Sequence, residues 1–170
     1  IIVNTTDKGT VRLILNNASI SNTTTAPIKV LDAKKVILTL ADNTTNTITD
    51  SSRLSTEEDY SAAIYSKEDL IINGNGTLNV NAGYRNGIKS TDDCIIVSGT
   101  LNITSTEDGI IGKDLCGIVA GDININAGSD GIKSTYDTDT TKGNVIIEGG
   151  NITIKASNDG IQAENILVIN

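Results

Sequence analysis

The chain has 170 residues, with no Phe, Trp, Met or His and one Pro. This length predicts a single domain, and the lack of large side chains argues against a broad globular core. The net charge of −8 argues against nucleic acid as a partner, because binding phosphates requires a basic surface.

The first half of the chain repeats loosely. Residues 63–70 match residues 87–94 position by position, and residues 27–32 are a fainter copy. Residues 41–60, between these copies, are rich in Thr, Asn and acidic residues. This composition predicts a loop inserted into the repeat, and such insertions usually lie on one side of a repeat protein.

The second half contains four copies of one phrase, of the form Asp-Gly-Ile or Asn-Gly-Ile. Their glycines, at positions 87, 109, 131 and 160, are 22, 22 and 29 residues apart. A period near 22 built from short strands and glycine turns is typical of a β-solenoid, which stacks equivalent positions about 4.8 Å apart. A second inserted loop, predicted at residues 135–141, accounts for the excess in the last spacing.

A strand with period-two alternation precedes each phrase, at residues 77–81, 100–104, 122–126 and 151–155. The alternation predicts two inward columns, formed by Leu78, Leu101, Ile123 and Ile152 and by Val80, Ile103, Ile125 and Ile154. A third inward ladder is predicted for Ile88, Ile110, Ile132 and Ile161. The rung length favours an all-β fold, a three-sided, right-handed parallel β-helix of about six rungs.

Cys94 and Cys116 are also 22 residues apart, so they stack on adjacent rungs. That spacing is compatible with a disulfide. The favoured interpretation is a pair of buried, reduced thiols, because Leu70 and Val145 continue the same column. Two cysteines without a histidine disfavour a zinc site.

Asp108, Asp130 and Asp159 precede three of the glycines, which predicts a row of carboxylates about 5 Å apart, where like charges repel. Calcium would compensate them, since it takes about six to eight oxygen ligands. Asn86 begins the row and Glu107 adjoins it, and both are candidate ligands. The alternative is Asx-Gly turn chemistry, in which the side chain caps its own turn and glycine supplies a positive φ. Three stacked acids favour calcium.

A second acidic column comprises Asp69, Asp92, Asp93 and Asp114. It either completes the calcium coordination or forms a solvated corner, and the sequence leaves both interpretations open. Asp137 and Asp139 in the second inserted loop are further candidate ligands.

Lys89 and Lys133 share a column beside the acidic row, with Ile111 between them and Gln162 after them. They either recognise a sugar carboxylate next to calcium or balance the charge of the aspartates, and both interpretations remain open. The full set of predicted carbohydrate-binding residues is Lys89, Lys133, Arg85, Lys113, Tyr84 and Tyr136.

The outward positions of the strands before each phrase are mostly Thr and Asn, which predicts a flat polar face. Asn side chains stacked in this way form amide ladders. Such a face also suits crystalline cellulose or ice, although Asp122 and Lys155 argue against ice.

These residues resemble the bacterial carbohydrate-binding β-helix family, which is related in fold to pectate lyases. The most specific segments are residues 36–42, 62–70, 109–114 and 129–134. The resemblance covers nearly the whole chain and implies an extracellular or cell-surface protein that carries calcium and binds plant cell-wall polysaccharides, including acidic ones. The Asp-Asp-Gly turn of calcium-dependent pectate lyases is a looser relative, from which the chain departs with Asn86 and Glu107.

Two function classes follow. The favoured class is non-catalytic, calcium-dependent binding of an acidic plant polysaccharide such as polygalacturonate, with cellulose as a further ligand. The alternative is a pectate lyase, which needs a base beside calcium. Without histidine, Lys89 and Lys133 are the side chains suited to that role, but a lysine must be desolvated to titrate near neutral pH. A structural surface spacer is a third class, compatible with the first.

The two ends of the chain, Ile1-Ile2-Val3 and residues 166–169, are apolar and carry no polar cap. Solenoids normally need such caps, so we expect residues 1–170 to be a trimmed domain or a fragment. No signal peptide and no run of 18 apolar residues is present, which predicts no membrane span in this segment.

Overall fold

The structure, a computed structural model, describes residues 1–7, 9–52 and 60–170. The chain winds as a parallel β-solenoid, in which each turn contributes one strand to each of three parallel sheets. This confirms the predicted fold class. Within the described ranges, no helix is long and apolar enough to cross a membrane.

The first sheet has seven strands: β1 (Ile2–Asn4), β4 (Ile28–Asp32), β7 (Ala62–Ser66), β10 (Asn86–Ser90), β13 (Ile110–Gly112), β16 (Ile132–Lys133) and β19 (Ile161–Gln162). The second sheet also has seven: β2 (Thr10–Leu15), β5 (Lys35–Leu40), β8 (Asp69–Gly74), β11 (Asp93–Ile96), β14 (Leu115–Ile118), β17 (Asn144–Ile147) and β20 (Leu167–Ile169). The third sheet has six: β3 (Ser19–Asn22), β6 (Thr45–Asp50), β9 (Thr77–Ala82), β12 (Thr100–Ser105), β15 (Asp122–Ala127) and β18 (Asn151–Ala156).

The core is a set of aliphatic columns, and each predicted inward ladder is present in register. Leu101 pairs with Leu78 on one side and Ile123 on the other. Ile110 pairs with Ile88 and Ile132 in the same way and is fully buried. Burial of aliphatic area contributes about 25 cal/mol per Å², so the narrow interior is stabilised by many repeated contacts rather than by large side chains.

The two cysteines stack as predicted. Cys94 pairs with Leu70 and Cys116, and Cys116 pairs in turn with Val145. Both thiols are free and fully buried. Burial raises the pKa of Cys116 to about 12 and that of Cys94 well above its usual range, so both stay protonated and unreactive at neutral pH.

The prediction of an inserted loop over residues 41–60 is wrong for its central part. Residues 45–50 form β6, which pairs with β3 and β9 in the third sheet. The strand was hidden because two of its inward positions are polar: Asn46 and Asp50 are both buried. Residues 53–59 lie outside the described ranges. The second predicted loop, residues 135–141, does lie between strands, after β16 and before β17.

Three glycines of the phrase, Gly87, Gly109 and Gly131, are required for space and not for a positive φ, whereas a Cβ at Gly160 would meet no atom within 4 Å. Gly109 lies outside the left-handed region, which corrects the Asx-Gly turn interpretation. A Cβ at this position would lie 2.5 Å from the carbonyl oxygen of Gly131 and 2.6 Å from Cγ2 of Ile125. Positive φ values occur instead at the corners before the third sheet, as at Gly99 and Gly121.

The predicted amide ladder runs along the outward face of the third sheet. Nδ2 of Asn102 donates to Oδ1 of Asn79 at 2.9 Å, and Nδ2 of Asn124 donates to Oδ1 of Asn102 at 3.1 Å. Each of these contacts joins neighbouring turns, so the face is stabilised by the same stacking that builds the core.

We expect Ile110→Asp to prevent folding. The substitution places a charge in a column with no polar partner, at a cost of several kcal/mol, against a total stability of about 5–15 kcal/mol. Far-UV circular dichroism melting is the measurement. Thr104→Asp adds the same charge at an exposed position of β12 and should melt like the wild type. An unchanged melt of Ile110→Asp would contradict the assigned core.

Candidate functional site

The predicted calcium row is a ladder of hydrogen bonds between turns. Oδ1 of Asn86 accepts from the backbone N–H of Asp108 at 3.1 Å, and Oδ1 of Asp108 accepts from that of Asp130 at 2.9 Å. Oδ1 of Asp130 accepts from the N–H of Asp159 at 3.0 Å. Asn86 is suited to the start of this row, because its Nδ2 also donates to the carbonyl of Ser61 at 2.7 Å, which an aspartate could not do. Each side chain therefore caps the next turn and not its own.

Asp130, in the middle of this row, has protein partners for both carboxylate oxygens. Oδ1 also accepts from Nδ2 of Asn158 at 2.7 Å, and Oδ2 accepts from Nζ of Lys133 at 2.6 Å. The residue is 1% exposed. Burial raises the pKa of Asp130, but the hydrogen bonds from Lys133, Asp159 and Asn158 outweigh it, and the pKa is lowered overall. Three of the roughly four lone-pair sites of this carboxylate are therefore already occupied.

Lys133 therefore performs the charge-balancing role that the sequence left open. Burial lowers its pKa, but the hydrogen bond and charge of Asp130, with the charge of Asp108, raise it overall. The ion pair with Asp130 leaves about a quarter of the Lys133 side chain exposed. An ammonium group has three N–H donors, so this lysine keeps donors for a further acceptor.

A surface groove of about 300 Å³ runs beside this row on the first sheet. Its lining residues are Ser61, Arg85, Asn86, Lys89, Glu107, Asp108, Ile111, Lys133 and Thr135. The groove thus brings together the two predicted lysines, Arg85 and the start of the acidic row. Tyr84 is half-buried in the turn that leads into it.

Arg85 and Glu107, on neighbouring turns, form an ion pair at the edge of the groove, with Nε of Arg85 3.0 Å from Oε2 of Glu107. Arg85 has a φ of 56°, a left-handed conformation that is uncommon for a residue with a side chain. Such backbone strain is often found at functional sites. Glu107 is used in this pair, and its predicted role as a calcium ligand stays a prediction.

Lys89 and Asp108 are the groove charges that lack an ion-pair partner within the part of the chain that the structure describes. Nζ of Lys89 donates to Oγ of Ser61 at 3.3 Å, and no carboxylate pairs with it. Burial, and then the charge of Arg85, lower the pKa of Lys89, although Asp108 and Glu107 oppose this shift. The desolvation that the sequence could not show is therefore present at Lys89.

The second acidic column forms a separate acidic corner, between the first and second sheets. Carboxylate oxygens of Asp69, Asp92 and Asp93 all lie within 4.8 Å of one another. Burial, and then the charge of Asp69, raise the pKa of Asp92 to about 6, with contributions from Asp114 and Asp93. The pKa of Asp93 is raised by burial and by Asp69 and Asp114. The corner therefore holds closely spaced carboxylates whose mutual repulsion the nearby lysines, Lys142 and Lys35, offset only in part.

The loop after β16 folds back onto this corner. Nζ of Lys142 pairs with Oδ2 of Asp114, and Nζ of Lys142 and Nζ of Lys113 lie 4.9 Å and 4.8 Å from the ring centre of Tyr136. Lys113 and Tyr136 therefore contact each other, away from the groove lining. Their predicted role in binding carbohydrate stays a prediction.

The two loop aspartates do not join the acidic corner. Asp137 is exposed. Asp139 accepts from the backbone N–H and from Oγ1 of Thr141, at 2.9 Å and 2.7 Å, so its carboxylate caps its own turn.

Three functional contacts were missed by the sequence. Ser61, Asn158 and Lys142 hold Lys89, Asp130 and Asp114 respectively. Ser61 and Asn158 lie outside the phrase, and Lys142 lies outside the repeat. The period therefore carries no signal for these three residues.

The fold and the groove define a β-solenoid protein with a charged surface site on one sheet. The chain matches the family of carbohydrate-binding domain-containing proteins over residues 1–170, and it belongs to that family. This confirms the predicted family at the level of carbohydrate binding. Calcium and a pectate ligand stay predictions.

A carbohydrate-binding domain-containing protein of Acetivibrio thermocellus is 39% identical over 95 residues, which are 54% of this chain and 33% of that protein. The match thus spans a third of the relative's length. A solved structure, named as a polysaccharide lyase-like protein from C. thermocellum in a gadolinium derivative, is 32% identical with a TM-score of 0.90. The likeness covers 99% of this chain and 79% of that chain.

The raised pKa of Asp92 predicts a pH-dependent stability in the absence of divalent cations. The carboxyl group of Asp92 binds its proton more tightly in the folded state than in the unfolded state. The free energy of unfolding therefore falls as the pH rises from the ordinary aspartate range through about 6. Asp92→Asn should therefore be more stable than the wild type above pH 6, with the difference closing in more acidic solution. Thermal melting in chelator over this pH range measures it.

Glu148→Gln is the matched control, because it removes one exposed carboxylate directly after β17 of the second sheet. It should not reproduce the pH-dependent gain. A constant difference between Asp92→Asn and the wild type at all pH values would contradict the uncompensated corner.

Proposed function

We propose that this domain binds an acidic polysaccharide, such as the polygalacturonate of plant cell walls, with the help of calcium and without cleaving it. One observation carries the proposal. Within the described residues of the groove, Lys89 and Asp108 are charged and lack an ion-pair partner. The groove thus offers an ammonium for a sugar carboxylate and a carboxylate for a bridging cation.

The setting of Lys89 favours an anionic ligand. A half-buried ammonium loses hydration, and burial accordingly lowers its pKa. A uronate carboxylate would replace the lost hydration with a charge-assisted hydrogen bond, which is stronger than one between neutral groups. A neutral sugar would leave the charge of Lys89 uncompensated.

The donor chemistry of both acidic regions fits calcium, a hard cation that prefers oxygen ligands. In the groove, Asp108 would hold it and the cation would link this carboxylate to a uronate. At the acidic corner, Asp69, Asp92 and Asp93 would hold it, and the cation would neutralise their mutual repulsion. Asp130 fits less well, because both of its oxygens are already used.

The proposed ligand also implies a location. Cell-wall polysaccharides lie outside the cell, so we propose an extracellular or cell-surface protein. A flat amide face on the third sheet offers a second surface, suited to a neutral polymer such as cellulose.

A second candidate function is elimination from a uronate chain, favoured by one observation. The lowered pKa of Lys89 is the property that a lysine base requires. The base would remove the proton beside the uronate carboxylate, the C–O bond to the neighbouring sugar would break to form the C=C bond, and the leaving oxygen would take a proton from water. Absorbance of the unsaturated product separates the two functions: we expect no rise with polygalacturonate and calcium. A rise that Lys89→Gln abolishes would establish the lyase instead.

Calcium should raise thermal stability, because it binds the folded state preferentially. At about a hundredfold excess over Kd the gain is about 2.7 kcal/mol, or a shift of about 5 to 10 °C in Tm. Melting curves with calcium and with chelator measure it. We expect Asp92→Asn to lose most of the shift, and Glu148→Gln to keep it.

The variant Asp108→Asn tests which of the two acidic regions binds the calcium that raises Tm. A loss of the shift in this variant alone would place the stabilising cation in the groove rather than at the acidic corner. Superimposable wild-type melting curves in calcium and in chelator would rule out a calcium site that contributes to stability.

Lys89→Gln should weaken binding of polygalacturonate about tenfold or more, the loss expected for a hydrogen bond between charged groups. Isothermal titration calorimetry with oligogalacturonate gives the affinity. Lys34→Gln is the matched control, since Lys34 is an exposed lysine at the corner between the first and second sheets. Pull-down with cellulose should be unaffected by either variant.

Chelator should also weaken binding to oligogalacturonate, as should added salt. If neither chelator nor Lys89→Gln changes the affinity, the groove mechanism is wrong. The amide face of the third sheet then becomes the candidate surface.

A further inference from the structure

One outward column of side chains runs along six turns of the first sheet. The parallel register places its members one above another, in the order Lys29, Tyr65, Lys89, Ile111, Lys133 and Gln162. Lysines therefore occupy every second turn. Since adjacent turns are about 4.8 Å apart, successive lysines are about 10 Å apart along the axis.

Charge balance explains one of these lysines and not the other two. Lys133 is paired with the buried carboxylate of Asp130. Among the described residues, Lys89 and Lys29 have no carboxylate partner: Lys89 donates to Ser61, and Lys29 donates to Oγ1 of Thr25 at 3.2 Å. Alternation reduces repulsion between the lysines, but it does not supply the missing anions.

Lys29 lies beyond the groove lining, on a small packed platform. Its Nζ is 4.4 Å from the ring centre of Tyr60, and the rings of Tyr60 and Tyr65 meet edge to face with centres 5.4 Å apart. Tyr65 packs with Ala26 and Ala62 in a buried cluster separate from the main core. Tyr65 lies between Lys29 and Lys89 in the column, so this cluster packs the surface that separates the two lysines.

We propose that the groove continues over this platform, and that an extended polyuronate lies along the solenoid axis with Lys29, Lys89 and Lys133 each binding one carboxylate. This inference rests on the proposed function and adds to it the direction, the minimum length and a third contact of the ligand. In an extended uronate chain, carboxylates of alternate sugars project from the same side. A cation on every second turn matches that pattern, and the distance from Lys29 to Lys133 is about 19 Å.

Calorimetry with trigalacturonate and hexagalacturonate, in calcium, tests the inference. The wild type should bind the hexamer more tightly than the trimer. Lys29→Gln should weaken hexamer binding about two- to fivefold, the value of a largely exposed ion pair, and leave trimer binding unchanged. Lys34→Gln, an exposed lysine five residues further along the chain and outside the column, should change neither affinity.

Lys29→Arg keeps the charge and should restore hexamer binding, which separates a lost ion pair from a damaged platform. Equal hexamer affinity in the wild type and Lys29→Gln would overturn the axial alignment, while the proposed function stands if Lys89→Gln still weakens trimer binding. If the wild type binds neither oligomer, both proposals fall.

Discussion

The structure depends on one constraint, the parallel register between consecutive turns. Backbone hydrogen bonds join each turn to the next, so every side chain meets its equivalent from the neighbouring turn. An aliphatic or amide side chain stacks favourably on its own copy, as Ile110 does inside and Asn102 does outside. A charged side chain does not, because its copy lies about 5 Å away. Each charged position in this fold therefore needs a partner, or a different residue at the equivalent position of the neighbouring turn.

Repulsion between stacked charges is reduced in two ways in this chain, and at a third place it is not compensated. Asp108 and Asp130 accept the backbone N–H of the following turn, and Asp130 also pairs with Lys133. The lysines of the first sheet occupy alternate turns. At the acidic corner, burial and the charge of Asp69 raise the pKa values of Asp92 and Asp93, and the nearby lysines Lys142 and Lys35 offset only part of this shift for Asp93. The positions that remain uncompensated are those best suited to bind a charged ligand.

The repeat could be predicted because its spacing is constant, and constant spacing alone determines which side chains stack. The strand at residues 45–50 could not, because Asn46 occupies an inward position that is Leu78 in the next turn. Asn46 fits there because its amide is satisfied: Oδ1 accepts from the N–H of Ala18 at 2.9 Å, and Nδ2 donates to the carbonyl of Thr77 at 3.2 Å. The spacing of a repeat does not show which hydrogen-bond partners other turns contribute to a buried polar side chain.

The same limit applies to the candidate site. The sequence placed acids and lysines in adjacent columns, but the choice between charge balance and ligand binding depends on which carboxylate each ammonium reaches. That choice depends on how closely successive turns approach, which the glycines after Asp108 and Asp130 permit. At Gly109 a side chain would collide with the carbonyl of Gly131, so only glycine lets successive turns approach closely enough for Asp108 to accept the N–H of Asp130. The hydrogen bond from the N–H of Asp130 to Asp108 fixes the row next to the first sheet, where Lys133 pairs with Asp130. Lys89 has Asn86 at the position equivalent to Asp130, so the carboxylate that pairs with Lys133 has no counterpart beside Lys89.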